Sequence, residues 1–359
     1  MAPLFNHDSY LRLIRGEDRS RLGGIIRAFL SAASGPYRCV TVARNHLFDK
    51  GMRRICDLGR PVVSVGNITA GGTGKTPMVV EIVRRLRHLG HRPAVLLRGY
   101  GGDETRELGA AFADAEPIVP VQANPNRAEQ AAHLLKRHPE VDVFVLDDAF
   151  QHRQVHRDLD LVLIDATDPF GGGRVLPRGL LREPMSNLHR ADAVVITRCD
   201  QVDAETLSVL DKQVESLTGR RPLAHTAAQW RGLRSEAGPM PAQTLGRQKV
   251  MGACGIGNAR VFERQLRQCA KEVVAVDARN DHYRWTGKDL RALLGRAADS
   301  GAEAVVTTEK DWVKWRPLLA GEAGAGIDDF PIYRPILAIH FVDGEDAFAR
   351  MLAEVSRTA

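Results

Sequence analysis

Lys75 and Thr76 close a glycine-rich turn, TAGGTGKT over residues 69–76, entered from the apolar run Pro61-Val62-Val63-Ser64-Val65. A helical pattern over 78–89 follows at once. Strand, flexible loop, Lys-Thr and helix in that order form a cradle for phosphate. Glycines let backbone N–H groups approach the oxygens and the helix N-terminus adds positive dipole. The lysine neutralises the outer phosphates, and the threonine hydroxyl is a ligand for Mg²⁺. The phosphate-binding residues are read as Thr69, Ala70, Gly71, Gly72, Thr73, Gly74, Lys75 and Thr76. The pattern G-x-x-x-x-G-K-[ST] fails at one place, where Thr69 replaces its first glycine. The part that touches phosphate is intact. The chain is expected to bind a nucleoside triphosphate.

The second signal is VDVFVLDDAFQHR over 141–153. A buried strand ends there in Asp147 and Asp148, at the sheet edge where ligands of α/β folds bind. Near a phosphate loop, such an acid holds Mg²⁺ directly or through water. Gln151 and His152 follow. The competing reading is a solvated turn with a helix cap. Weaker candidates surround these two. LRGYGGDE (97–104) combines Arg98, Tyr100 and the acids Asp103 and Glu104, one of which can take a proton from a substrate hydroxyl. It reads equally as a tight turn. LPRGLLREP (176–184) offers Arg178 and Arg182 to phosphate and Glu183 to a metal, or is a surface loop. Asp281-His282 can orient a proton acceptor, although a loop histidine is more often solvated. Thr197-Arg198-Cys199-Asp200 and Thr308-Glu309-Lys310-Asp311 either meet the nucleotide base or cap helices. Capping is favoured for the first.

These residues need a frame. Strands are expected at 93–97, 141–146, 159–164, 193–197, 249–253, 273–277 and 304–308, with helices over 126–137, 204–217, 259–271 and 288–300. Several strands are continuous apolar runs, which suits a parallel sheet covered on both faces. The fold class is α/β, a doubly wound, mainly parallel sheet with a second, smaller α/β lobe and N-terminal amphipathic helices. The stretch 219–246 is the expected boundary, giving a first domain over 1–222 and a smaller lobe over 223–359, joined by a hinge.

A length of 359 residues accommodates two cores. The net charge of +6 and pI near 9.2 point to an anionic partner: phosphate, a membrane surface or nucleic acid. The five cysteines are scattered without a C-x-x-C pair, so neither a disulfide framework nor a zinc site is expected. No apolar run is long enough to span a bilayer and no signal peptide is read. Residues 22–33 and 37–48 look like short basic amphipathic helices within a region of about 58 residues, suited to a membrane interface or to packing on the domain. The basic residues lack the aromatic interleaving of single-strand binders, so nucleic acid is not expected.

Taken in order, SVGNITAGGTGKTP, RGYGG, GDE, LDDAFQHR, LPRGLLREP, GIGN, DH and TEKD resemble the tetraacyldisaccharide 4′-kinase family, which phosphorylates the lipid A precursor. The resemblance spans roughly residues 62–315. It implies a P-loop NTPase-like fold and transfer of the ATP γ-phosphate to the 4′-hydroxyl of an acylated disaccharide 1-phosphate. It also implies a peripheral protein on the cytoplasmic face of the bacterial inner membrane. By the same resemblance, Asp103 is the base, oriented by His282, and Lys75 grips the phosphates. Thr76, Asp147, Asp148 and Glu183 serve Mg²⁺, while Asn67, Arg98, Tyr100, Gln151, His152 and Arg182 face the substrate. The chain departs from the family pattern in three places. RGYGG runs straight into GDE without the usual insertion, Ala149 replaces a glycine, and Arg279-Asn280 replace the Phe and Pro around the histidine. The competing function is a GTP- or ATP-driven switch or metallochaperone with the same loop and no lipid acceptor.

Overall fold

The computed structural model describes residues 7–99, 103–112, 115–257, 259–280, 283–320 and 330–357, without the side chains of residues 7, 8, 103 and 104. Two compact units cluster separately: Met1–Ala228 with Ile339–Ala359, and Gln229–Ala338. Residues 339–359, which the sequence reading keeps in the smaller lobe, therefore belong with the larger unit.

The larger unit begins with α1 (His7–Arg15) and α2 (Arg21–Asp49). Its sheet contains β1 (Val62–Asn67), β2 (Pro93–Leu97), β3 (Val121–Ala123), β4 (Val143–Asp147), β5 (Leu159–Asp165), β6 (Ala193–Thr197) and the start of β7 (Ala224–Ser235). The spatial order is β3-β2-β4-β1-β5-β6-β7, with every neighbouring pair parallel. Val65 in β1 is in register with Asp147 in β4 on one side and with Leu161 in β5 on the other. The chain reverses direction around β1, so the loop leaving Asn67 emerges at the switch point where such sheets bind ligands.

Helix α3 (Lys75–His88) covers one face with Met78, Val79, Ile82, Val83 and Leu86, all fully buried. Each such side chain contributes about 1.5–3 kcal/mol of gross apolar burial. That packing anchors the loop preceding the helix. Helix α4 (Asp103–Ala111) and α5 (Arg127–Arg137) follow β2 and β3, and α6 (Ala204–Thr218) packs Leu210 and Val214 into the opposite layer.

In the smaller unit β8 (Gly238–Met240) pairs antiparallel with β7. Beyond it β9 (Lys249–Cys254) lies between β10 (Glu272–Ala278) and β11 (Ala304–Thr307), and β12 (Ile332–Asp343) is parallel to β11. Helices α7 (Ala259–Cys269), α8 (Gly287–Asp299) and α9 (Glu309–Leu319) supply its core. Trp285 and Trp315 pack edge to face there, with centroids 5.0 Å apart. The final helix α10 (Glu345–Ser356) returns Phe348 and Leu352 to the larger unit's core.

Two expectations are corrected and a third is made more specific. The two short N-terminal helices form one, α2, which runs through Gly35-Pro36. Ser34, Tyr37 and Asn45 dock it by side-chain hydrogen bonds on both sides of the proline, and this tertiary support outweighs the local break signal. The stretch 219–246 does contain a division between the two units, at Ala228/Gln229, and it holds β7 and β8. The helix after the phosphate loop begins at Lys75, three residues ahead of 78.

Candidate active site

The phosphate loop is held from beneath and from the side. Asn67, fully buried at the end of β1, donates through Nδ2 to Gly71 O at 3.4 Å. Gly66 passes so close to Phe150 that a Cβ would lie 2.5 Å from its side chain, which explains the missing side chain. The loop's first residues pair with the LPRGLLREP segment: Thr69 bridges Leu181, and Ala70 N–H donates to Leu180 O at 2.7 Å. Gly74 then takes φ +86, a left-handed conformation natural to glycine, and turns the chain into α3. No side chain caps that helix and no acid lies in its first turn. Its leading N–H groups are therefore available to an anion.

Thr197 and Arg198 brace the same loop. Thr197 Oγ1 donates to Thr73 O at 3.0 Å, and Arg198 Nη2 donates to Gly72 O at 2.6 Å. Arg198 also pairs with Asp165 at the end of β5. Its backbone is left-handed, φ +58, at the head of a short 3₁₀ turn that it does not cap through its side chain. The capping expected of this motif is thus replaced by support of the phosphate loop.

Opposite the loop, Asp147 ends β4 with 4% exposure, which rules out a solvated turn. Asp148 follows at φ +50. Arg182 Nη1 lies 2.8 Å from both of its oxygens, and Lys75 Nζ is 3.5 Å from Oδ1 and 3.5 Å from Gly71 O. Burial works against ionisation of Asp148, but Lys75, Arg182 and Arg127 outweigh it and hold the carboxyl below its ordinary range. Behind both acids lies Arg127 of α5, 1% exposed, whose Nη2 donates to the Asp147 and Asp148 carbonyls. Burial, only partly offset by the two aspartates, lowers its pKa to about 10. Nothing in its sequence position, twenty residues before the acids, singles it out.

Gln151 links three parts of the site. Its Nε2 donates to Asn67 O at 2.9 Å and to Glu183 Oε1 at 3.0 Å, and its Oε1 accepts from Arg182 at 3.3 Å. His152 is half-buried, and burial together with the charges of Arg127, Arg157, Arg98 and Arg44 lowers its pKa to about 4. It is a neutral imidazole at ordinary pH.

Glu183, expected near the metal, is fully buried and already surrounded by donors. Asn45 Nδ2 (3.0 Å), Gln151 Nε2 (3.0 Å), Asn187 Nδ2 (2.7 Å) and Arg190 Nη2 (2.9 Å) all donate to it. Those contacts make it a hub tying α2 to the phosphate-loop side, and they correct the metal-ligand reading. Tyr37 Oη adds a bond from α2 to Arg182 O at 2.8 Å.

Tyr100 and His282 lie outside the described residues, as does the side chain of Asp103 at the start of α4. TEKD is structural: Thr308 caps α9, while Asp311 accepts from Gly255 N–H at 2.8 Å and Trp285 Nε1 at 3.0 Å. Among the described residues no cluster of three or more Asp, Glu, His or Cys side chains is placed to hold a metal alone.

This geometry of braced glycine loop, Lys75 and acid pair agrees with comparison to known proteins. Residues 26–353 match the family described as LpxK, tetraacyldisaccharide-1-P 4′-kinase. The chain belongs to this family. It is 40% identical over 325 residues to the tetraacyldisaccharide 4′-kinase of Anaeromyxobacter dehalogenans strain 2CP-C, covering 84% of this chain and 85% of that one. It is 34% identical over 350 residues to the one of Geobacter sulfurreducens, covering 92% and 94%. Among solved structures, the "apo" form LpxK from Aquifex aeolicus in complex with ATP is similar with a TM-score of 0.69 at 25% identity. That similarity covers 92% of this chain and 99% of the other. The fold is that of the family, and the P-loop NTPase-like α/β architecture expected from the sequence is borne out.

Proposed function

We propose that this chain is the ATP-dependent kinase that transfers the γ-phosphate to the 4′-hydroxyl of a tetraacylated glucosamine disaccharide 1-phosphate, a step of lipid A biosynthesis. Family membership over residues 26–353 supports the acceptor, and one observation carries the chemistry. Lys75, on the phosphate loop, and Arg182, on the partner loop, converge on Asp148 beside an uncapped helix N-terminus.

Phosphoryl transfer asks chiefly for positioning and charge neutralisation. The α3 N–H groups and Lys75 would grip the β- and γ-phosphates. The acceptor oxygen forms a bond to the γ-phosphorus as the bond to the β–γ bridging oxygen breaks, and ADP leaves. The hydroxyl proton goes to a carboxylate, for which Asp103 is proposed with His282 as its orienting partner. Arg98, Tyr100 and the neutral His152 are proposed to face the sugar. Mg²⁺ bound with ATP would supply charge neutralisation on the transferred group. Thr76 and Asp147 are oxygen donors of the right hardness for it, and their small number fits an ion that keeps waters and phosphate ligands.

A peripheral seat on the cytoplasmic face of the inner membrane is part of the proposal. Leu22, Ile25 and Phe29 recur on α2 at helical spacing with 66%, 66% and 72% exposure, among arginines. Such a face suits the lipid interface. Among the described residues no helix is long and apolar enough to cross a membrane.

The test is acceptor dependence. Purified protein with ATP and Mg²⁺ is expected to consume ATP only when detergent-dispersed disaccharide 1-phosphate is added. Equal turnover without acceptor would favour the switch or metallochaperone reading.

A further inference from the structure

Just ahead of β5 stands Arg157, mostly buried, with its side chain turned to the segment that carries Asp148, Gln151 and His152. Its Nη1 donates to Ala149 O and to Phe150 O, both at 3.3 Å, the two carbonyls that follow directly on Asp148. Ala149 O also accepts from the His152 N–H at 2.8 Å. One guanidinium group thus braces the peptide units between the acids and the imidazole. The same Nη1 lies 3.2 Å from Oδ2 of Asp160, a β5 residue only 3% exposed and in register with Ser64 of β1. A guanidinium aimed by a buried carboxylate is fixed in direction, which an arginine free in a loop is not. Burial, aided by Asp192 and opposed by Arg157 and Arg190, pushes the Asp160 carboxyl up to about 6. The braced turn has need of support, because Asp148 holds φ +50, a left-handed conformation that a residue with a side chain keeps only when its surroundings impose it. The Arg157 charge also reaches His152, where after burial and Arg127 it is the next cause of the lowered pKa.

We propose that Arg157, aimed by Asp160, is a positioning residue for phosphoryl transfer: acting through the turn, it sets Asp148 against Lys75 and keeps a neutral His152 towards the sugar. Its effect on rate rests on the kinase reading above, whereas its effect on the imidazole does not. The phosphate loop has braces of its own in Asn67, Thr197 and Arg198. A turn left unsupported therefore leaves ATP bound and mis-aims the groups around the acceptor, so the loss falls on kcat.

The test uses the full chain as Asp160→Asn, Arg157→Gln and Arg157→Lys, each checked for folding by thermal unfolding. Asp160→Asn keeps the size of the side chain and removes the charge that aims Arg157. At pH 8, kcat in Asp160→Asn and in Arg157→Gln is expected to fall about tenfold, with the KM for ATP changing less than about twofold. Arg157→Lys keeps the charge and should recover part of the loss. Protonation makes the wild-type Asp160 resemble asparagine. The ratio of wild-type to Asp160→Asn kcat should therefore shrink towards one as pH drops through about 6. A merely structural role would lower stability and leave that ratio the same at every pH. Independently of turnover, the His152 titration is followed by NMR, with the signal assigned through His152→Gln. Its pKa should rise from about 4 towards 6.5 in Arg157→Gln and stay low in Arg157→Lys. Unchanged kcat in both charge-removing variants, a ratio that ignores pH, or an unmoved His152 titration in Arg157→Gln would each overturn the proposal. A wild type that phosphorylates nothing would sink the kinase reading and leave the imidazole titration to decide the role of Arg157. Should Arg157→Gln fail to fold, the pH profile of Asp160→Asn decides it.

Discussion

Arg182 Nη1 sits 2.8 Å from each oxygen of Asp148, so one guanidinium nitrogen spans the whole carboxylate. Lys75 approaches the same group from the phosphate loop at 3.5 Å. In this arrangement Asp148 holds Lys75 within reach of the loop, and Arg182 keeps Asp148 in place and ionised. Arg182→Ala is expected to lower kcat/KM roughly a hundredfold, the scale for losing a charged group aimed at developing charge. Steady-state kinetics checks this, and an effect under threefold would contradict it. Because the Asp148 pKa is depressed, its contribution to stability is present above the ordinary carboxylate range and fades only as pH falls through the folded value.

Glu183, fully buried, pairs with the mostly buried Arg190 and is closed by Asn45, Gln151 and Asn187. Glu183→Ala strands a buried guanidinium, and the expected cost is about 3–5 kcal/mol in a denaturant titration. A variant of wild-type stability with weakened Mg²⁺ dependence would instead restore the metal-ligand role.

Arg198 reaches under the phosphate loop to Gly72 O. Its replacement by alanine is expected to raise the KM for ATP about tenfold. Lysine at that position should recover part of the loss. The acceptor KM reports on a different part of the site and should move less.

Two histidines respond to pH in opposite directions. His152 has a folded pKa near 4 against 6.5 for the free side chain, so the unfolded state takes up the proton first. Its contribution destabilises the fold as pH drops from about 6.5 towards 4. For His225, burial opposes protonation, but the Asp211 and Asp343 carboxylates prevail and raise its pKa above 6.5. That pairing is fully present below 6.5 and is lost as pH rises through the raised value. Thermal unfolding from pH 4 to 8 should show the acid-side slope shrink in His152→Gln and the alkaline-side slope shrink in His225→Gln.

Much of this fold was readable because local signals and packing agree. The 93–97 strand is apolar throughout, the 193–197 strand is apolar up to Thr197, and both occupy those bounds in the sheet. Asp147 and Asp148 were readable because they follow directly on the continuous apolar run of a buried strand, at its carboxyl end. The rest depended on contacts distant in sequence. Glu183 reads as a free acid until Asn45 and Arg190 are seen around it. Arg198 looked like a cap because its partner, Gly72, lies 126 residues away. Strand β7 was hidden by polar residues such as Gln229 and Arg231, whose alternation with apolar ones breaks the continuous pattern of the other strands. Pro36 suggested a helix end that docking of α2 overrides.

The most direct measurement follows labelled phosphate. Wild type incubated with ATP labelled at the γ-position, Mg²⁺ and acylated disaccharide 1-phosphate should give a labelled bis-phosphorylated lipid with the new ester at the 4′-oxygen. Lys75→Ala, folded by circular dichroism, should give none. Label appearing only as inorganic phosphate, or lipid product formed equally well by Lys75→Ala, would contradict transfer from this loop.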